Sequence, residues 1–550
     1  MSAEAAKYKR APLLWLLLPL VCGLIAGHAG LAKGWDVRWV AAVAVAAGCL
    51  GIFNGRRFGV VFAAVAMALG GLALYEWRQA RLPEWDKLPP REARAKVELS
   101  RVFPAAAGAR SVSALGRIVE CDAPVAELAG QRVHVSFDRR TAGDKAPARG
   151  SVVVMTGVLE VVAEGAGAGE FDGFLNNEGI HFRIGRGRVR EVVRGGGWWA
   201  RFCEAGQERL SGFLGVGVEG KRGDLTGIFR AMLLGRKHEL SGGQKELFMR
   251  SGTMHLFAIS GLHVAAIWVA LELLLAVARV PRKAAFFAGL AALWLYVEVT
   301  GGAPSAVRAF WMVALTQAAR VFRVPGSALS GLCAAALGAL VFSPMQLFAA
   351  GFQMSYGIVA SLLLFGVPLG RRLKERWALF GKLPKATWTW RHKAADAVWR
   401  GFLEAAGVGL AATLVSLTSG VLFFGVLAPG AFFANLALIP LASLVIFAGF
   451  ASMTLGLVFW GHAGWVASVF NHAGALVLAG MEWLVRFFRG VPGLFFEARF
   501  REDWMGFATL GGCLALAAAG YALGWRRGWW FAVPFVFLGA ALAAGVVVSG

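Results

Sequence analysis

Long apolar runs recur along the chain, separated by short polar stretches. They fall near 12–32, 37–53, 58–76, 253–279, 284–300, 304–322, 326–342 and 346–369, then near 402–427, 430–457, 460–480, 504–524 and 528–548. Each is about 20 residues, the length a helix needs to cross roughly 30 Å of hydrocarbon. The pattern predicts a polytopic α-helical membrane protein with about 11–13 transmembrane helices; the spread reflects Gly- and Pro-rich runs that can be re-entrant. Between the third and fourth runs the period changes. Ser113–Val119, Arg132–Phe137, Ser151–Val162 and His181–Val193 alternate or run β-branched, with Gly-rich breaks between them, which predicts a small β-barrel or sandwich. The expected organisation is N-terminal transmembrane helices over 1–76, a β-rich domain over 77–225, a central membrane domain over 226–490 and further transmembrane helices over 491–550.

Charge orients the chain. Lys7, Lys9 and Arg10, then Arg56 and Arg57, then Arg279, Arg282 and Lys283, then Arg320 and Arg323 all fall on one side of a strict alternation. So do Arg371, Arg372, Lys374, Arg376, Lys382, Lys385, Arg391, Lys393 and Arg400, and finally Arg526 and Arg527. By the positive-inside rule that side is cytoplasmic, which leaves residues 77–252 extracytoplasmic in a cell (inner) membrane. The basic start before Leu13–Ile25 mimics a signal peptide, but two more apolar runs follow at once, so it reads as a first membrane anchor. Composition agrees: 57% of the 550 residues are hydrophobic, 16% are charged and the net charge is +23. Membrane anchoring explains much of that charge; a role in handling a polyanion is the second reading, chiefly for the 371–400 loop. Cys121 and Cys203 alone lie in the external segment, where an oxidising compartment would allow a disulfide.

Within the β-rich segment, Arg186, Arg188 and Arg190 alternate with Gly187 and Val189, so period two puts three guanidiniums on one strand face. Such a ladder can follow a phosphate backbone; equally, it can be a charged edge strand protected from aggregation. Two nucleotide-binding look-alikes fail on context. Gly215 to Lys221 fits a P-loop until Arg222 replaces the Ser or Thr that would hold magnesium. Leu240-Ser241-Gly242-Gly243-Gln244 matches the ABC-transporter signature, but no nucleotide-binding domain fits around it. A capping box, Ser241 with Gln244, is the simpler account. No cofactor and no metal site are expected.

The stretch His255-Leu256-Phe257-Ala258-Ile259-Ser260-Gly261-Leu262-His263-Val264 places two histidines, a serine and a glycine at the mouth of an apolar run. Polar groups there are costly unless they are paired or face water. On a regular helix His255 and His263 lie about 80° apart, although Ser260 and Gly261 can unwind that turn. The spacing is not the i, i+4 pair of a zinc helix. A serine nucleophile would also need an acid behind the base, and Glu272 lies on the opposite helical face. The preferred reading is pore-lining or helix-packing polarity; a hydrolase using His255, Ser260 and His263 is the rival, so no catalytic residue is assigned. Other intramembrane polar residues join the candidate path. Glu298 and Arg308 flank the Thr300–Ser305 turn and are able to pair, Gln353, Ser355 and Tyr356 interrupt a span, and Asn435 precedes Pro440, a combination that bends or breaks a helix. His462, Asn471 and His472 follow.

Several of these blocks resemble, in order, the ComEC competence-protein family. Leu233-Leu234-Gly235 and Phe248 to Val264, with Gly252 and His255 in register, are similar to its central block. Thr300-Gly301-Gly302-Ala303-Pro304-Ser305 with Arg308-Ala309 is similar to the next. Phe352-Gln353-Met354-Ser355-Tyr356 stands where the family usually reads Phe-Gln-Leu-Ser-Phe, and Asn435-Leu436 with Ile439-Pro440 resembles an Asn-Leu…Pro element. Gly169-Glu170-Phe171-Asp172 and Gly179-Ile180 look like its Gly-Glu-Phe-Asp segment. The resemblance covers about residues 1–490.

The resemblance implies an extracytoplasmic OB-like domain that feeds single-stranded DNA to a channel domain. The expected partners are an extracytoplasmic DNA receptor, a cytoplasmic ATPase motor and the lipid bilayer, with an oligomer also allowed. A motor is needed because moving an anionic strand inward costs about 2.3 kcal/mol per charge per 100 mV. Many family members continue into a metallo-β-lactamase-like domain; nothing here resembles its His-x-His-x-Asp-His motif, so a separate nuclease is expected, or competence function has been lost. A transporter of another anionic polymer or lipid-linked substrate remains a further alternative.

Overall fold

A computed structural model describes residues 13–31, 34–53, 56–80, 89–103, 110–142, 147–163, 170–219, 223–251, 253–257, 259–324, 327–381, 383–459 and 464–549. The N-terminal helices α1 (Leu14–His28), α2 (Val37–Phe53) and α3 (Arg56–Gln79) pack together. Small residues set their spacing. A Cβ on Gly23 would lie 1.9 Å from the Ala68 carbonyl oxygen, and one on Gly71 would lie 2.5 Å from that of Leu20, so the α1 and α3 backbones touch.

The chain then leaves the helical layer. Strands β1 (Arg91–Val102), β2 (Ser111–Cys121), β3 (Arg132–Asp138), β4 (Val152–Val161) and β5 (Phe182–Arg194) close a barrel in the order β1-β2-β3-β5-β4, with β3 and β5 parallel and every other pair antiparallel. Alternation drives it: Val97, Leu99, Val133, Val135, Val153 and Met155 point inward and are fully buried, while most of their neighbours on the outer face keep partial exposure; His134 and Val152 are buried there too. Helix α4 (Glu170–Asn177) precedes β5 and meets the turn at 344–348, on the membrane domain. The barrel itself ends at Arg194. The next two helices, α5 (Trp198–Gly215) and α6 (Gly223–Leu234), pack into the membrane domain instead, so the β-rich unit is shorter than the 77–225 expected. Phe213 sits against Gly456, and Phe229 fits between Gly449 and Gly474. Asn471, fully buried, donates to the carbonyls of Phe213 and Val216 (2.7 and 3.0 Å) and so caps the end of α5.

The membrane domain continues through α7 (Gly242–Arg250), α8 (Gly261–Val277), α9 (Arg282–Val299), α10 (Pro304–Val321), α11 (Ala328–Phe342), α12 (Ala350–Arg376), α13 (Trp390–Phe424), α14 (Ala431–Val458), α15 (Gly464–Arg489), α16 (Asp503–Ala522) and α17 (Val533–Gly545). All thirteen apolar runs carry a helix. Among the described residues, seven helices are long and apolar enough to cross a membrane, and four shorter apolar ones accompany them. Strands β6 (Val426–Leu427), β7 (Phe496–Phe500) and β8 (Val546–Ser549) form a small sheet that gathers the ends of α13, α15 and α17. The last helices are not a separate unit: Cys513, Trp525 and Leu538 share a core with Leu20 and Leu24 of α1 and with Phe365 of α12.

Two expectations change. Pro440 lies inside an unbroken α14, so Asn435 and Pro440 do not break that helix. The basic 371–400 stretch is mostly helix, the ends of α12 and α13, with only 377–389 between them. Two of its cations are spent there, Lys374 on Glu404 and Arg400 on Asp396 at 2.6 Å. Cys121 and Cys203 are free thiols. The capping box is present: Ser241 Oγ accepts from Gln244 N (3.2 Å), and Gln244 Oε1 accepts from Ser241 N (3.1 Å). Ser241→Ala should cost about 1 kcal/mol and fray α7. Hydrogen exchange over residues 242–250 reads this, and unchanged protection there would refute it.

Candidate functional site

The histidine-rich stretch does not form one helix. Met254–Phe257 is a 3₁₀ turn, and α8 starts only at Gly261, because Ser260 adopts extended backbone (φ −108°, ψ 175°) as its N-cap. The 80° relation between His255 and His263 is therefore void. The Ser260 N–H donates to His263 Nδ1 (3.3 Å), and Ser260 Oγ meets the same nitrogen at 3.1 Å. His263 thus takes the capping-box position three residues after the cap, fully buried, with Nδ1 as acceptor. The His255 side chain, His462 and Arg222 lie outside the described residues. Glu272 sits about 13 Å further along α8 than His263, too far to be its acid partner. Among the described residues, no group of three His, Cys, Asp or Glu side chains could hold a metal ion.

The break at Ser260 is built into a larger layer. The Ile259 carbonyl accepts from Ser305 Oγ (2.7 Å), and its side chain covers Gly235, a left-handed residue (φ +72°). Tandem left-handed glycines, Gly301 (φ +92°) and Gly302 (φ +60°), turn the chain from α9 into α10. Tyr296 donates to the Leu233 carbonyl at 2.7 Å, and Gln207 donates to that of Leu234 at 3.1 Å. The 233–235, 259–263 and 296–305 segments, far apart in sequence, thus meet at one level.

Glu298 and Arg308 do not pair, contrary to expectation. Glu298 is 8% exposed and accepts from Arg149 Nη1 (3.0 Å), in the loop before β4, and from Trp199 Nε1 (3.1 Å) on α5. This is a latch between the barrel and the membrane domain. Arg308 turns the other way and donates to the Gly351 carbonyl (2.8 Å), leaving its Nε buried with no partner among the described residues. Gln353 donates to the Leu347 carbonyl (3.0 Å), and its Oε1 has no partner among the described residues. Asn435 Oδ1, on the half of α14 nearest the small sheet, is also buried with no partner among the described residues. Buried polar atoms left without partners are expensive, and they mark where water or a ligand would be accommodated.

On the barrel, Arg186, Arg188 and Arg190 are all exposed while Gly187 and Val189 point inward, so the one-face ladder is real. Arg186 is left-handed (φ +51°), at the point where two residues of β5 oppose one of β4, and Arg190 Nε donates to Thr156 Oγ1 (3.2 Å). The strand runs down to Arg194, whose register partner Val152 lies three residues from Arg149.

The junction carries cations that the sequence did not single out. Arg101 and Lys237 are half-buried and make no ion pair among the described residues. Burial lowers the pKa of Arg101, with Glu178 raising it and Arg149 lowering it further. Lys237 is lowered by burial and by the nearby Arg101. Arg149, Trp199, Arg101 and Lys237 had no local signal; each gains its role from a partner distant in sequence, 149 residues away for the latch.

A polytopic helical membrane domain bearing a latched β-barrel is the class these observations define. The family described as Competence protein matches residues 232–523, more than half of the chain, and the chain belongs to that family. ComE operon protein 3 of Bacillus subtilis (strain 168) is 33% identical over 141 residues, 26% of this chain and 18% of that relative. Competence protein ComA of Neisseria gonorrhoeae is 28% identical over 291 residues, 50% of this chain and 39% of that relative. Both alignments therefore span well under half of the relatives' length. No solved structure matches.

Proposed function

We propose that this chain conducts single-stranded DNA across the cell (inner) membrane during natural transformation, with the barrel extracytoplasmic and the N-terminus cytoplasmic. One observation carries the reading: the Arg149–Glu298 latch seats the barrel on the same turn that braces the Ser260 break, and beside it stand half-buried cations with no ion pair among the described residues. Arg186, Arg188 and Arg190 would track phosphates along an OB-like barrel face, and Arg101 and Lys237 would receive them at the junction. The partly satisfied Arg308, Gln353 and Asn435 would then line a hydrated path, with Ser260 and His263 shaping its mouth as a helix cap. The conduit performs no enzymatic step of its own in this reading. A motor, a DNA receptor and a nuclease would be separate proteins.

The test is uptake in a deletion strain complemented with this gene, following labelled DNA across the inner membrane. Wild type should restore it. Arg101→Gln with Lys237→Gln should lower it at least about tenfold at equal protein level, since two phosphate contacts are lost. Uptake unaffected by the deletion, or by the double substitution, would sink the respective part of the proposal.

A further inference from the structure

At the end of the bundle opposite the barrel, a cavity of about 830 Å³ opens between α8, α9 and α10. Arg282, Lys283, Arg320 and Arg323 line it, against the single carboxylate of Glu272, and none of these makes an ion pair among the described residues. Its wall includes Phe286 and Trp268. Trp268 is 6% exposed, its six-membered ring packs on Gly289, and its indole Nε1–H is buried with no acceptor among the described residues. Four cations around one carboxylate make the cavity a place for an anion's oxygens.

Two features tell what kind of anion. The neighbouring surface of α8 exposes Leu273, Leu274 and Val277, which in a membrane-spanning helix face acyl chains. The cations themselves cluster at the ends of the helices, at headgroup depth. Arg323 is also held at φ +54° after α10, a position where glycine would be unstrained. We infer that this cavity binds the phosphodiester headgroup of an anionic phospholipid, with the four cations around the phosphate and the acyl chains running along α8. Basic pockets between transmembrane helices are suited to such headgroups. The inference needs the chain to span a membrane but is independent of DNA; on the proposed orientation the lipid comes from the cytoplasmic leaflet.

The full chain, purified in detergent, is mixed with equal amounts of phosphatidylglycerol and phosphatidylethanolamine and examined by native mass spectrometry. Phosphatidylglycerol should be retained preferentially. Arg320→Gln with Arg323→Gln should weaken that retention about thirtyfold, about 2 kcal/mol at about 1.4 kcal/mol per tenfold. Equal retention of both lipids by wild type, or unchanged retention by the double variant, overturns the inference. Displacement of the lipid by millimolar inorganic phosphate would reassign the cavity to free phosphate, and displacement by an oligothymidylate would reassign it to nucleic acid; either overturns the lipid assignment. Arg323→Gly separates binding from folding. It should melt no lower than wild type without lipid, yet gain less in Tm when phosphatidylglycerol is added. A wild-type gain in that variant counts against the site.

Discussion

Glu298→Ala should release the barrel from the membrane domain at a cost of about 2–3 kcal/mol. The carboxylate is buried, and two donors from different elements, Arg149 and Trp199, converge on its Oε2. Removing it deletes a charge-assisted bond and leaves the indole N–H without its acceptor. Breaking a fully buried pair costs about 3–5 kcal/mol, but half of the Arg149 side chain is exposed, so water recovers part of that loss. For the same reason Arg149→Gln should cost less, about 1 kcal/mol. The readout is hydrogen exchange in the full chain at Leu99–Val102, residues 149–152 and the start of α5, supported by loss of a cross-link engineered between the barrel and the 300–305 turn. If Glu298 were instead a water-facing pore group, the substitution would leave that protection intact, and the latch would be refuted. In the conduit reading, release should also abolish uptake while the membrane helices stay folded.

The helices and the barrel were legible because each follows from a local period. Twenty-residue apolar runs became helices one for one, and the two-residue alternation placed β5 so well that its arginine ladder survives the bulge at Arg186. Ser241 with Gln244 was legible for the same reason, since a capping box is a three-residue relation. Ser260 with His263 has the same spacing, but a histidine in the Glu or Gln position hid the cap behind a catalytic look. Non-local pairing was the part the sequence could not disclose. Glu298 and Arg308 flank one turn and suggest each other, yet the fold offers Glu298 a barrel arginine and an indole, and Arg308 a carbonyl on α12. Pro440 shows the limit of a local rule: the proline costs one hydrogen bond, and packing of Ala434, Leu438, Ala442 and Val445 on both sides keeps α14 continuous.

Acid should weaken the barrel through His134. This β3 residue is 4% exposed, neither ring nitrogen has a hydrogen-bond partner among the described residues, and its ring meets the Phe171 ring edge-on at 5.1 Å. Burial is the main cause that lowers its pKa from 6.5 to about 4; Arg183, paralleling it on β5, pushes the same way, and Asp172 opposes. The native state therefore keeps a neutral imidazole where the unfolded chain takes up a proton. Above about pH 6.5 both states are neutral and the residue has no pH effect. As the pH falls from 6.5 to about 4, the unfolded state binds more protons and stability is lost, by at most about 3 kcal/mol at the lower limit. His134→Leu removes both the titration and two unsatisfied buried nitrogens, so it should stabilise the barrel at neutral pH by about 1 kcal/mol and flatten this part of the pH dependence. Hydrogen exchange of β2, β3 and β5 in the full chain, compared between pH 7 and pH 5 after correction for intrinsic rates, gives the answer. A wild type and a His134→Leu variant that lose the same protection on acidification would show that other groups, not this histidine, carry the acid sensitivity.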